Sequence, residues 1–394
     1  MDLSDGDGRS RFARVLPAIL AAVLVAGCGG GERDEPAASL PDGTPVAVTS
    51  GAHRSVGVLR GDTAEQFDDV RTPFLHRDSL LVVPVAGAAT IRVFGPDGEL
   101  VRSPGGPGEG PGEFRRLVAA WARGDTIEAF DAELRRITRF TPAGSTEVVR
   151  LESGGEAQGI VPSPLPDGWA LYGVESAGMG RRDTVAVRHF GRDGSHRGVI
   201  SRVEGFSRYR TEVYAGPDPL SPKPVVAAHD GLVYVAETLT PEIRVFSPEG
   251  ELRREIAWQP DSLPSPEEAF SATAAAAAAG ADPDRAESVR KQLRSFPVRE
   301  EVSAFWGAIV DEEGFVWVER YDPSRHSLQL ASRAAVDSGS EWLILTPDGR
   351  RVGAVRMPDG LEPTDITRDA VVGIHRDEVG VETVRVHRLR RHPD

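Results

Sequence analysis

The 394-residue chain contains one cysteine, no asparagine and two lysines. The lone cysteine, Cys28, excludes intrachain disulfides and cysteine-rich zinc sites. The two lysines are Lys223 and Lys291, so the other 44 of the 46 basic residues are arginines. That bias, with the missing asparagine, fits a GC-rich coding sequence. Positive charge is also scarce overall: 46 basic residues stand against 60 acidic ones, a net charge of −14. Such a balance speaks against long-range attraction to nucleic acid or anionic lipid. No apolar run reaches the ~20 residues that a membrane-crossing helix needs. What remains is a globular composition, 40% hydrophobic and 27% charged, punctuated by 43 glycines and 30 prolines.

The first 27 residues read as an address. Arg9, Arg11 and Arg14 precede the apolar run Val15–Gly27, which has the length of a signal-peptide core. Asp2, Asp5 and Asp7 are an unusually acidic start for such a segment. The run closes as Val25-Ala26-Gly27-Cys28, which resembles a bacterial lipobox with Cys28 as the lipidated residue. A diacylated and N-acylated cysteine would hold the chain to a membrane, since each buried methylene contributes ~0.8 kcal/mol. Residues 28–45 lack apolar periodicity and read as a flexible tether. The expected location is the cell envelope, outside the cytoplasm. Gly29 after Cys28 favours the outer membrane in a two-membrane cell.

A short pattern recurs through residues 46–390: a strand, then a tight turn ending in glycine. It runs Ile91-Arg-Val-Phe94-Gly-Pro-Asp-Gly98 and Ile137-Thr-Arg-Phe140-Thr-Pro-Ala-Gly144. Further copies are Val187–Gly194, Ile243–Gly250 and Trp342–Gly349. A sixth, Val384–Leu389, stops without its turn. Proline presets the turn backbone and glycine accepts its positive φ. Apolar stretches before and after each copy bring the content to four short antiparallel strands, which is a propeller blade. Six copies imply six blades. The large residues Phe94, Phe140, Phe190, Phe246, Leu345 and His387 fall 46, 50, 56, 99 and 42 residues apart. The interval of 99 holds an insertion, Pro260–Pro297, with an Ala-rich run and charges at helical spacing. The third and fifth copies depart most from the pattern. The last copy lacks an outer strand, and Val46–Leu59 is an orphan apolar segment ahead of the first. The N-terminal segment is therefore expected to complete the last blade and close the ring.

With six copies in view, the chain resembles six-bladed β-propellers of the NHL-repeat type, and bacterial propeller lipoproteins in particular. The residues that carry the likeness are Gly105-Gly-Pro-Gly108-Glu109-Gly110-Pro111-Gly112-Glu113-Phe114, Val310-Asp311-Glu-Glu-Gly314-Phe-Val-Trp317 and His229-Asp230-Gly231-Leu-Val-Tyr234. The fold implied is all-β, with a helical surface insertion between blades 4 and 5. Function does not follow, because propellers host unrelated activities.

In such a ring, the loops joining second to third strands and one blade to the next share a top face. Pro260–Pro297, Tyr321–Ser340 and Gly105–Glu113 all fall there. Asp131, Glu175, Glu237, Glu319 and Asp377 mark the ends of second strands in five blades. They are candidate top-face ligand or cation residues; the alternative is that they cap turns. Convergent carboxylates would suit calcium. The Gly105–Gly112 loop lacks the Gly-Lys-Ser/Thr ending of a phosphate cradle. His76, His189, His229 and His375 lie in different blades and form no helical His-Glu-x-x-His pair. No Gly-x-Ser-x-Gly elbow is present. The six tryptophans read as blade core, with Trp306 also placed to line a top-face pocket.

The expected function is a membrane-tethered, monomeric binding or scaffold module for a protein, peptide or glycan, with no cofactor and no nucleic acid. The rival is a propeller enzyme of lactonase or lyase type with a carboxylate-bound divalent cation. Lactonases of that shape use asparagine among their calcium ligands, and this chain has none.

Overall fold

The computed structural model describes residues 46–58, 66–77, 79–153, 163–210, 215–218, 220–260, 262–279, 281, 283–296, 300–326, 339–377 and 380–391. Cys28, the signal-like segment and the tether lie outside these residues.

Six antiparallel sheets form the body, each a blade of four ladder positions. Blade 1 is β3 (Phe74–His76), β4 (Leu80–Val85), β5 (Thr90–Phe94) and β6 (Leu100–Arg102). Blade 2 is β7 (Leu117–Arg123), β8 (Thr126–Asp131), β9 (Arg136–Phe140) and β10 (Thr146–Arg150). Blade 3 is β11 (Ser163–Leu165), β12 (Gly168–Glu175), β13 (Arg182–Gly191) and β14 (His196–Arg210), with β15 (Ala215–Pro217) added at the end of β14. Blade 4 is β16 (Pro224–His229), β17 (Leu232–Glu237), β18 (Glu242–Phe246) and β19 (Leu252–Ala257). Blade 5 is β20 (Phe305–Val310), β21 (Val316–Arg320), β22 (Glu341–Leu345) and β23 (Arg351–Arg356), as regular as its neighbours. Blade 6 is β24 (Leu361–Ile366), β25 (Ala370–Arg376) and β26 (Glu382–Arg390), completed by β1 (Ala47–Val48) and β2 (Arg54–Val56) from the other end of the chain.

The repeat glycines explain the hairpins. Gly98, Gly144, Gly194, Gly250 and Gly349 have φ between 82° and 89°, a conformation that costs a β-carbon residue energy. Core packing follows the ring. Six buried apolar clusters fill the six blade interfaces: Phe94 with Val384 and Val386, for example, and Trp317 and Trp342 with Leu361 and Leu389.

Blade interfaces also carry buried ions. Asp311, in the β20–β21 turn, accepts hydrogen bonds from Glu313 N (3.0 Å), Phe315 N (2.9 Å) and Trp317 Nε1 (2.7 Å). Arg391, just past β26, reaches the same carboxylate at 2.9 Å and so pins blade 6 to blade 5. The Asp-x-x-Gly-x-x-Trp spacing thus has a physical basis: one acid caps a turn and receives an indole N–H. The Gly105–Glu113 loop is a packed junction. Arg136 donates to the carbonyls of Glu109, Gly110 and Glu113, and Glu113 Oε2 receives Gly110 N.

The insertion is two helices, α1 (Pro266–Ala279) and α2 (Pro283–Arg294). Ser265 caps α1: its hydroxyl takes Glu268 N, while Glu268 Oε2 takes Ser265 N, a reciprocal capping box. Phe296, past α2, meets Tyr209 of β14 with ring centroids 6.0 Å apart. The long β13–β14 hairpin therefore has a partner in the insertion, a relation the repeat pattern does not announce.

Asp365, on β24, joins the inner strands of blades 6 and 1 by accepting Leu75 N at 3.0 Å. Burial, against that hydrogen bond and with Glu312 adding repulsion, pushes its carboxyl up to about 6. A raised folded-state pKa favours folding below the unfolded value and loses that benefit as pH rises through about 6. Asp365→Asn should therefore be more stable than the parent at pH 7.5, by on the order of 2–3 kcal/mol. The gap should close at pH 4. Urea melts at the two pH values check this, and an unchanged gap would refute it.

Candidate functional site

Among the described residues, a group of chemically capable side chains lies between blades 4 and 5. Lys223 directly precedes Pro224, which biases its backbone to extended conformations at the head of β16. Thr238, just past β17, fixes it further. Lys223 N donates to Thr238 Oγ1 and Thr238 N to Lys223 O, both at 3.0 Å. The Thr238 carbonyl accepts Ala304 N at 2.7 Å, so the same residue sets the start of β20 and the position of Trp306.

Lys223 Nζ sits 4.2 Å from the Trp306 ring centroid, within cation–π range. The His326 imidazole stacks on Trp306 with centroids 5.0 Å apart and planes 5° from parallel. Tyr321 adds a third ring, 6.2 Å from Trp306 and 6.1 Å from His326. His326 is buried, and both its nitrogens are engaged. Asp322 N donates to Nδ1 at 2.9 Å, which leaves the proton on Nε2, where it faces Glu319 Oε1 at 3.0 Å. His326 thereby orients the Glu319 carboxylate. Burial pushes the Glu319 carboxyl up, but His326, Lys223 and Arg325 outweigh it and hold it below the ordinary range. Burial likewise lowers Lys223, against the pull of Glu319 and Glu362. Tyr321, half-buried and beside Asp322, is pushed up to about 12 and stays a hydrogen-bond donor.

Beside this group opens a cleft of about 540 Å³. Tyr321, Asp322 and His326 form one wall, Leu263, Pro264 and Glu268 of the insertion another. Helix α1 holds the loop in place, because Thr273 Oγ1 donates to Pro323 O at 2.8 Å.

The five acids selected from the sequence occupy matching positions but have separate partners. Asp131 is fully buried and accepts Arg115 N at 2.7 Å, Glu133 N at 2.9 Å and Leu134 N at 2.8 Å. Glu175 pairs with Arg188 at 2.7 Å, and Glu237 pairs with Arg182 of the adjacent blade. Asp377 caps its own turn by accepting Val381 N at 2.8 Å. Glu319 alone joins the aromatic group. Among the described residues no three His, Cys, Asp or Glu side chains are grouped to hold a metal ion. The five carboxylates are thus spread over separate partners rather than gathered around one point. Trp306 and Glu319 are each visible in the sequence, as separate candidates. Lys223 and His326 were not singled out; the rarity of lysine and the position of His326 in a top-face loop were the available signals.

No known family profile matches the chain, and no curated protein sequence does. Solved structures are similar at low identity. A Bacteroides vulgatus member of the DUF4221 family aligns over 88% of this chain and 99% of its own, with 9% identity and a TM-score of 0.48. A Bacteroides fragilis protein described as exported aligns over 88% and 95%, at 11% identity and TM-score 0.46. Virginiamycin B lyase of Staphylococcus aureus aligns over 88% and 99%, at 10% identity and TM-score 0.40. No helix among the described residues is long and apolar enough to cross a membrane.

Proposed function

We propose that this chain is a lipid-tethered binding module of the cell envelope that takes a peptide or glycan into the top-face cleft beside Trp306, Tyr321 and His326. The observation that supports it is the cleft itself. It is concave, in the ~300–1,000 Å³ range of ligand sites, and it combines aromatic faces with paired charges such as Arg320–Glu341. Aromatic planes suit both sugar faces and peptide side chains, and the charged rim would supply orientation. Screening the full chain in detergent against peptide and glycan arrays tests this. Binding should be lost in Tyr321→Ala and weakened at least tenfold in Trp306→Ala. A ligand held equally well by Tyr321→Ala would move the site elsewhere. Anchoring through Cys28 is a separate part of the proposal: Cys28→Ala should lose acyl labelling and leave the membrane fraction.

A further inference from the structure

One of the chain's two lysines occupies a shielded position on the top face. Lys291 is exposed on α2. Lys223 lies against Trp306, partly covered yet still touched by solvent. A guanidinium could supply the same charge and ring contact, as Arg123 and Arg139 do over Trp169. What lysine adds is a proton that can leave, exposing a nucleophilic lone pair. Among the described residues, no hydrogen bond or ion pair holds Nζ in place. The two acids that act on it through space have closer partners: Glu319 engages His326, and Glu362 engages Arg376 at 2.7 Å.

We propose that Lys223 is a reactive amine that condenses with an aldehyde or ketone to form a Schiff base on the top face. The ammonium first gives one proton to water. The Nζ lone pair then adds to the carbonyl carbon, and the carbonyl π pair moves to oxygen, which takes up a proton. The now four-bonded nitrogen releases one proton to water, regaining its lone pair. The resulting carbinolamine expels its hydroxyl as water after a second protonation, and the nitrogen lone pair closes the C=N bond. The product is an iminium, which keeps one positive charge on nitrogen. No oxidant or reductant is consumed. The site is built for that product: the Trp306 face and the ionised Glu319 stabilise a cation that can no longer be strongly hydrated. Burial, by lowering the affinity of Lys223 for its proton, raises the free-amine fraction near neutral pH. The inference does not depend on the cleft holding a peptide or glycan.

With only two lysines, the chain carries its own control. The full chain in detergent is treated with glyoxylate or butyraldehyde and cyanoborohydride across pH 6–10, and the trapped adducts are mapped by peptide mass spectrometry. At pH 7, Lys223 should be alkylated at least tenfold faster than Lys291, with its pH midpoint at least one unit lower. Lys223→Arg should abolish that adduct while leaving the thermal melt unchanged, and Trp306→Ala should move the midpoint towards that of Lys291. Labelling of Lys223 no faster than Lys291, or equal midpoints, would overturn the proposal.

Discussion

A chain that begins at Gln66 should fail to give the cooperative melt of one that begins at Val46. The missing segment supplies β1 and β2, which pair with Leu389–Arg390 and Val384–Val386 of β26. Thr49 N and His53 N donate to Arg388 O and Val386 O at 3.0 and 2.9 Å. Val56 is buried in the cluster shared by blades 6 and 1, and Arg54 reaches across to the carbonyls of Ser79 and Gly95 in blade 1. Loss of the buried Val56 at roughly 1.5–3 kcal/mol, of the partly buried Val46 and Val48 that pack between blades 5 and 6, and of ladder bonds at ~1 kcal/mol each sums to about 5 kcal/mol or more. Domains of ordinary stability hold about 5–15 kcal/mol. The exposed edge of β26 would then invite association. Differential scanning fluorimetry and light scattering read both effects. A peptide spanning residues 46–58, added in trans, should restore part of the melting temperature by mass action. Equal melts for the two chains would remove the ring-closing role.

Glu128→Ala should cost about 3–5 kcal/mol, the range for breaking a buried ion pair from one side. Glu128, on β8, has no solvent exposure. Its Oε2 receives the indole N–H groups of Trp121 and of Trp169 in the next blade, both at 2.8 Å. Arg123 Nε lies 3.1 Å from Oε2 and Arg139 Nε 3.1 Å from Oε1. Alanine would leave two buried indole donors without an acceptor and two partly buried guanidiniums without their central counter-charge, around a void. Glu128→Gln keeps an acceptor and most of the volume but not the charge, so its cost should be smaller. Urea denaturation of the two variants gives the order. A loss below about 1 kcal/mol for Glu128→Ala would mean that water or the arginines re-satisfy the site.

The ring was legible because its information is local. Five of the six copies carry their own positive-φ glycine and four of those a turn proline, and the sixth repeats the strand alone, so six copies can be counted without any tertiary knowledge. Closure followed from a missing strand at one end and a spare one at the other. The insertion showed as an interval of 99 where its neighbours are 42–56. Glu128 did not show, because Thr-Ile-Glu-Ala-Phe-Asp reads as ordinary alternation with one face in water. Its burial depends on two tryptophans from different blades. The continuation of β14 to Arg210 was equally hidden: its strand partner is the short β15, and Tyr209 meets Phe296 of an insertion nearly ninety residues later. The top-face group was half visible. Trp306 and Glu319 have local signatures, but Lys223 and His326 come into place only through Thr238 and the blade 4–blade 5 junction.

The closing strand also sets an order of events during synthesis. Thr49 and His387, which share a 2.7 Å hydrogen bond, are 338 residues apart. At ~5–20 residues per second, the first partner waits on the order of tens of seconds for the second. Throughout that interval an unpaired β-segment is at large, and long flat edges recruit wrong partners. Here the segment is cut into pieces of two and three residues, β1 and β2. Neither offers much of a template until β26 arrives to align both. Contacts of such separation form slowly. Pulse-labelled amides of Thr383–Arg390 should therefore gain protection after those of β8 or β21. A blade that is the last to be translated would also be the last to set, and the division of its outer strand lets the nascent chain wait safely.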